Sequence, residues 1–162
     1  MFFGRNYLVA LADFAVRRAD NGEEPASFTQ DLILTYLHMA DGTPASHQWI
    51  GFRDLPDGLF YEQAFQGYTG AELIRGLHGN LESFHHAART LNGSPLELGD
   101  AAYTFSVLPR LQLAIVWWAG DEDFPPQARV LFEDTAPHYL ITDGLAIVGS
   151  LLIGQIVKAA KD

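Results

Sequence analysis

Carboxylates crowd one stretch of this chain. Asp121, Glu122, Asp123, Glu133, Asp134 and Asp143 fall within 23 positions and are offset there only by Arg129. If Asp121, Glu122, Glu133 and Asp143 converged, they would suit a hard cation such as Mg²⁺ or Ca²⁺. A close pair would instead divide into acid and base through mutual pKa perturbation. Asp121-Glu122-Asp123 lacks the EF-hand spacing and its glycine, and charge runs commonly form solvated loops, so a hydrated, helix-capping loop is the competing reading. The expectation is a loop that holds no metal tightly. His138 stands a few residues before Asp143, and a histidine oriented by a carboxylate can serve as a base.

The other histidines are weaker candidates. Glu82-x-x-His85 has the spacing of a carboxylate-bridged di-iron bundle, but such a site needs a second pair and two further glutamates, so it is rejected. His85 sits at the border of a helical apolar stripe. It would serve there as a metal or haem ligand, or as a border histidine hydrogen-bonded to a neighbour. Aromatic residues make up 12% of the chain. Aromatic walls with few polar groups line small-ligand pockets, and Trp49, Tyr61, Phe65 and Trp118, with His85, are the candidates for such a lining. The core needs most of the others.

Composition removes several classes of function. With no cysteine there is no disulfide framework, thiolate zinc site, iron–sulfur ligation or cysteine nucleophile. Gly-x-Ser-x-Gly, phosphate-loop and Gly-x-Gly-x-x-Gly motifs are absent, and no cofactor is encoded by a recognisable motif. A net charge of −10 makes nucleic acid and anionic lipid poor partners. The most apolar segment, Leu145 to Val157, is shorter than the roughly 20 residues a spanning helix needs, and the N-terminus carries no secretory pattern. A cytoplasmic location is the expectation.

The elements that must position these residues follow from periodicity. Tyr7–Leu11 and Phe14–Arg17 read as short strands, the first compatible with helix as well. Ser27-Phe28-Thr29-Gln30 reads as a capping box opening a helix that Gly42 closes. Trp49–Phe52 reads as a strand, and a short aromatic helix through Tyr61 and Phe65 follows the turn at Leu55–Gly58. Thr69-Gly70-Ala71-Glu72 reads as a second capping box, with that helix ending at Gly79. Asn80 caps a helix whose buried stripe is Leu81, Phe84, Ala88 and Leu91. Tyr103, Phe105 and Val107 alternate with polar residues, which marks a half-exposed strand. Leu111–Trp118 is apolar on both faces except at Gln112 and reads as a central strand covered on both sides, with Trp117 buried. Arg129–Phe132 is a further strand, and a last helix runs from about Thr142 toward Lys158. Strands grouped in hairpins predict an α+β fold over residues 1–162. It is a two-layer single domain with a mainly antiparallel sheet of about five or six strands, loosely like small sensor domains.

Several segments together resemble the domain-of-unknown-function family 3786 of anaerobic bacteria and archaea. They are Ile33–Leu37, Trp49–Pro56, Tyr61 with Ala64-Phe65, Leu98–Ala101, Trp118–Pro125, and Leu131-Phe132 continuing through Ala136-Pro137 to Tyr139-Leu140. This chain has Glu133 where the family favours Asp, and Asp143-Gly144 where it favours an acidic pair. Relatives tend to be longer at the N-terminus, so a leading segment is expected to be missing here. The resemblance implies an accessory role beside iron–sulfur proteins and no established reaction.

Three functions remain. The first is a non-catalytic module binding a small ligand or a redox partner. The second is a metal-dependent enzyme using the 121–143 acidic loop, and the third is a structural homodimer module. For the last, Ala146, Ser150 and Gly154 recur every four residues on the final helix and would allow a close helix contact, either with a second copy or with the chain's own sheet.

Overall fold

Leu111–Trp118, apolar at every position but Gln112, forms strand β6 at the centre of an open, five-stranded antiparallel sheet. The computed structural model describes residues 1–161 of the 162. In chain order, β1 (Tyr7–Val9) and β2 (Val16–Arg18) make a separate hairpin, followed by α1 (Ser27–Met39) and β3 (Trp49–Gly51). Two short 3-10 turns, Phe52–Asp54 and Gly58–Phe60, lead into α2 (Glu62–Tyr68), α3 (Gly70–Gly76) and α4 (Leu81–Thr90). Then come β4 (Ser94–Pro95), β5 (Ala101–Leu108), β6, β7 (Gln127–Glu133), a 3-10 turn at Ala136–His138 and α5 (Thr142–Ala159). The sheet order is β3-β7-β6-β5-β4, with every pairing antiparallel. The α+β reading therefore holds.

Register decides which face of the sheet is core. Leu113, Ile115 and Trp117 lie beside Phe105, Tyr103 and Ala101 on one side and beside Phe132, Val130 and Ala128 on the other. Helices pack on this face: Phe84 of α4 stacks on Trp117 at 5.5 Å, and Phe65 of α2 meets Phe132 at 5.8 Å. Trp117 is fully buried, as its strand pattern predicts. The second face departs from expectation. Ala102, Ala114 and Val116 are buried there but stand apart from the main apolar core. They are short side chains shielded by strand neighbours and by the Gly99 turn, where a Cβ would fall 2.7 Å from Val116. Continuous apolarity on a strand thus needs no second helical layer when the residues on one face are small.

The capping boxes are corrected. Ser27 sits inside the first turn of α1, behind Ala26 as the N-cap, and the box does not form; Gln30 instead donates to the Pro25 carbonyl at 2.9 Å. Thr69 does precede α3, but its hydroxyl donates back to the Phe65 carbonyl, where it is buried and cannot cap. Asn80 behaves as read, its side chain accepting from the Ser83 amide at 3.0 Å. Gly42 keeps its left-handed backbone (φ +85°) but lies beyond the end of α1 at Met39.

Helix α5 is long and apolar enough to span a membrane by length and composition alone, yet Leu145, Val148, Leu152 and Ile156 are buried in the main core. Its close contact lies at Gly149, one step around from the Ala146–Ser150–Gly154 ridge. A Cβ on Gly149 would stand 3.0 Å from two Phe65 ring carbons, whereas one on Gly154 would meet nothing within 4 Å. Phe65 is buried and stacked, so it has no room to yield. Gly149→Ala is therefore expected to lose about 1 kcal/mol of stability, crowding outweighing the gain in helix propensity. Gly154→Ala is expected to gain up to about 1 kcal/mol from propensity alone. Urea denaturation of the two variants checks the opposite signs, and equal stabilisation by both would show that Phe65 moves aside.

Candidate functional site

The chain leaving β3 builds one wall of an open cleft. Phe52 turns inward and stacks on Phe65 with ring centroids 4.1 Å apart and planes within 12°. The next turn closes so tightly that a Cβ on Gly58 would sit 1.9 Å from the Phe52 carbonyl oxygen, and Asp57 before it is left-handed at φ +59°. This turn leaves Phe60 85% exposed, with Tyr61 exposed beside it. The facing wall is the start of α5, tied to the first by a hydrogen bond of 2.6 Å from the Thr142 hydroxyl to the Pro56 carbonyl.

Between them lies a cleft of about 770 Å³, lined further by Met39, Tyr68, Leu140, Ala146 and Ile147. Its polar groups are the Asp57 and Asp143 carboxylates, the Thr142 hydroxyl, and the hydroxyls of Tyr61 and Tyr68. Among the described residues no lysine or arginine lines it. Burial pushes the Tyr68 hydroxyl above its ordinary value, and the charge of Asp143 pushes it further the same way, so Tyr68 stays protonated at neutral pH.

A family model for a domain of unknown function matches residues 1–155. The chain belongs to DUF3786. Neither curated proteins nor solved structures provide a match. Several of the segments that carry the DUF3786 likeness contribute residues to this cleft: Phe52, Pro56 and Tyr61 on one side, Pro137 and Leu140 on the other.

Of the residues singled out in this DUF3786 sequence, the fold brings Tyr61 and Asp143 to the cleft. Phe65 lies in the core behind Phe52. Trp49 is half-buried on the edge strand, opposite Glu133. Trp118 is 38% exposed on the helix-free face of the sheet. The Nδ1 atom of His85 is 2.9 Å from the Tyr103 hydroxyl, the hydrogen-bonded border position. The aromatic candidates are thus dispersed: Trp49 and Trp118 stand on strands and share one face of the sheet, whereas Tyr61, Phe65 and His85 come from a turn and two helices.

The acidic set does not converge. Among the described residues no three histidines or carboxylates gather as a metal site. Asp121 spends one oxygen accepting the Asp123 and Phe124 amides of its own turn, at 2.9 and 2.8 Å. Glu133 is 1% exposed, and one of its oxygens accepts the His47 amide at 3.2 Å with the His47 ring 3.5 Å away. Glu122 is exposed in the turn beside Asp121, and Asp143 belongs to the cleft.

His138 does have a carboxylate partner, but it is Asp41 rather than Asp143. Its Nδ1 lies 2.7 Å from Asp41, whose other oxygen accepts the Thr43 amide at 2.9 Å and the Thr43 hydroxyl at 2.7 Å. Carboxylate on Nδ1 is the orienting half of a general-base pair, which directs the Nε2 lone pair of neutral His138 away from Asp41. The pairing spans loops remote in sequence, so spacing could not reveal it. The available signal was Asp41-Gly42-Thr43-Pro44, an Asx-turn composition. Phe60, Tyr68, Asp57 and Ile147 also escaped singling out, because each gains meaning only opposite another wall.

The Thr43 hydroxyl, and after it the His138 ring, hold the Asp41 carboxyl well below its ordinary value of 3.8. Lowering in the folded state means that the contribution is complete above 3.8 and is lost as pH falls through the folded value. Carboxyl-detected NMR is expected to show Asp41 still ionised at pH 3.8, when half of ordinary aspartates are protonated. Asp41→Asn should flatten that part of the acid-stability profile, and an ordinary midpoint for Asp41 would refute the assigned hydrogen bonds.

Proposed function

We propose that this domain is a non-catalytic binding module whose cleft between the 52–61 segment and the start of α5 takes a small, largely apolar ligand. The observation that carries the reading is the exposure of Phe60, Tyr61 and Ile147 around one concave space, where isolated surface aromatics would otherwise gain nothing. The volume falls in the range of small-molecule sites, roughly 300–1,000 Å³. Fixed apolar walls with a few hydroxyls and carboxylates at the rim are what such sites use to combine affinity with orientation. The metal-dependent reading loses its support with the dispersal of the acidic set. The family likeness supplies the proposed setting, a cytoplasmic accessory to an iron–sulfur redox partner.

A neutral aromatic alcohol, 2-naphthylmethanol, tests the cleft directly. Titrated into ¹⁵N-labelled protein, it is expected to shift amides of residues 56–61 and 140–147 with a Kd of about 1 mM or tighter, as fits a ligand of this size. Ala146→Trp should fill the cleft and abolish the shifts. Phe60→Ala, at a solvent-exposed position, should weaken binding several-fold without affecting folding. Shifts located elsewhere, or binding indifferent to both substitutions, would overturn the proposal.

A further inference from the structure

We infer that the ligand of this cleft is an amphipathic organic cation, an amine or quaternary ammonium group carried on an apolar body. The inference rests on the cleft being a binding site and adds the charge and class of what it binds. One carboxylate stands on each wall, Asp57 in the turn before Phe60 and Asp143 in the first turn of α5. Neither carboxylate has a hydrogen-bonding or ion-pairing side chain among the described residues, so both are free to meet a ligand in the cleft. The cleft lining contains no lysine, arginine or histidine to neutralise them.

Three aromatic rings share the space, those of Phe60, Tyr61 and Tyr68. Aromatic faces carry negative electrostatic potential and attract ammonium groups, most strongly those already partly stripped of water. Carboxylates alone would draw any cation, and rings alone any apolar molecule. Together, on opposite walls of an apolar cleft, they select a molecule that is both. The amide end of α5 attracts anions, but an anion approaching it would meet Asp143 in that helix's first turn. The charge of −10 on the chain repels anions further. The volume of about 770 Å³ fits a whole small molecule, so the occupant is a free cation and not the single lysine side chain of a docked protein.

Three naphthalenes that differ only in their head group read this out by the same NMR titration: 2-naphthylmethylammonium, 2-naphthylmethanol and 2-naphthoate. The expected order is cation over alcohol by roughly tenfold or more, with the carboxylate not binding. The cation's advantage should shrink between about 0.05 and about 0.5 M salt, as the Debye length falls below the width of the cleft. Asp143→Asn should remove most of that advantage and Asp57→Asn part of it, the cation losing more affinity than the alcohol in each case. Equal binding of cation and alcohol, or a preference untouched by both substitutions, overturns the charge assignment while the cleft remains a binding site. Failure of all three probes overturns both. N-acetyl-lysine amide, which carries the charge without the aromatic body, is expected not to compete. Binding tighter than that of the naphthyl amine would make a partner's lysine the occupant and refute the small-molecule assignment.

Discussion

Phe52 lies flat against Phe65, and the position of most other elements follows from that contact. Both rings reach Phe132 on β7, at 6.1 and 5.8 Å, so the stack joins the turn after β3, helix α2 and the sheet. Helix α5 comes against the same Phe65 ring through Gly149. Burying each phenylalanine is worth roughly 1.5–3 kcal/mol, and favourable ring geometry adds about 0.5–1.5 kcal/mol per pair. Position matters more than that energy. Phe52 is almost wholly buried and also contributes to the cleft lining, so the inner wall of the cleft is the core itself. A site backed in this way keeps its shape without spending ligand-binding energy on ordering it.

Several carboxylates in this acidic protein are given over to backbone donors. Asp100 accepts the Ala119 amide at 2.7 Å, Asp54 the Gly51 amide at 3.2 Å, and Asp121 two amides of its own turn. Buried Glu133 holds the segment before β3 against the end of β7, where the Asp134 amide also donates to the Gln48 carbonyl at 3.0 Å. Each of these groups satisfies a donor that a loop would otherwise leave to water.

Legibility in the sequence followed the range of the interaction. β6 and the buried Trp117 could be read because continuous apolarity is local, and the Asn80 cap because its partner is three residues away. Thr69 was misread because its hydroxyl had a stronger local competitor, the Phe65 carbonyl. Tyr61 and Asp143 were each visible as chemical types, but nothing in their spacing said that the Thr142–Pro56 hydrogen bond would bring them to one cleft. His138 and Asp41, 97 positions apart, show the same limit, since side chains that meet across loops leave no periodic trace.

The pairing of β3 with β7 sets an order of assembly. Strands β5, β6 and β7 form a meander of neighbours, whereas Trp49 finds Glu133 only across half the chain. Closing so long a loop costs entropy before any contact repays it, so the meander is the natural nucleus and β3 docks late, through three residues at a sheet edge. The cleft walls belong to the two halves that this docking unites, which makes the cleft among the last features to form. A bound molecule would then act as a clasp: by occupying the space between the late-arriving segment and α5 it would slow their separation and raise the protection of the β3–β7 amides against hydrogen exchange.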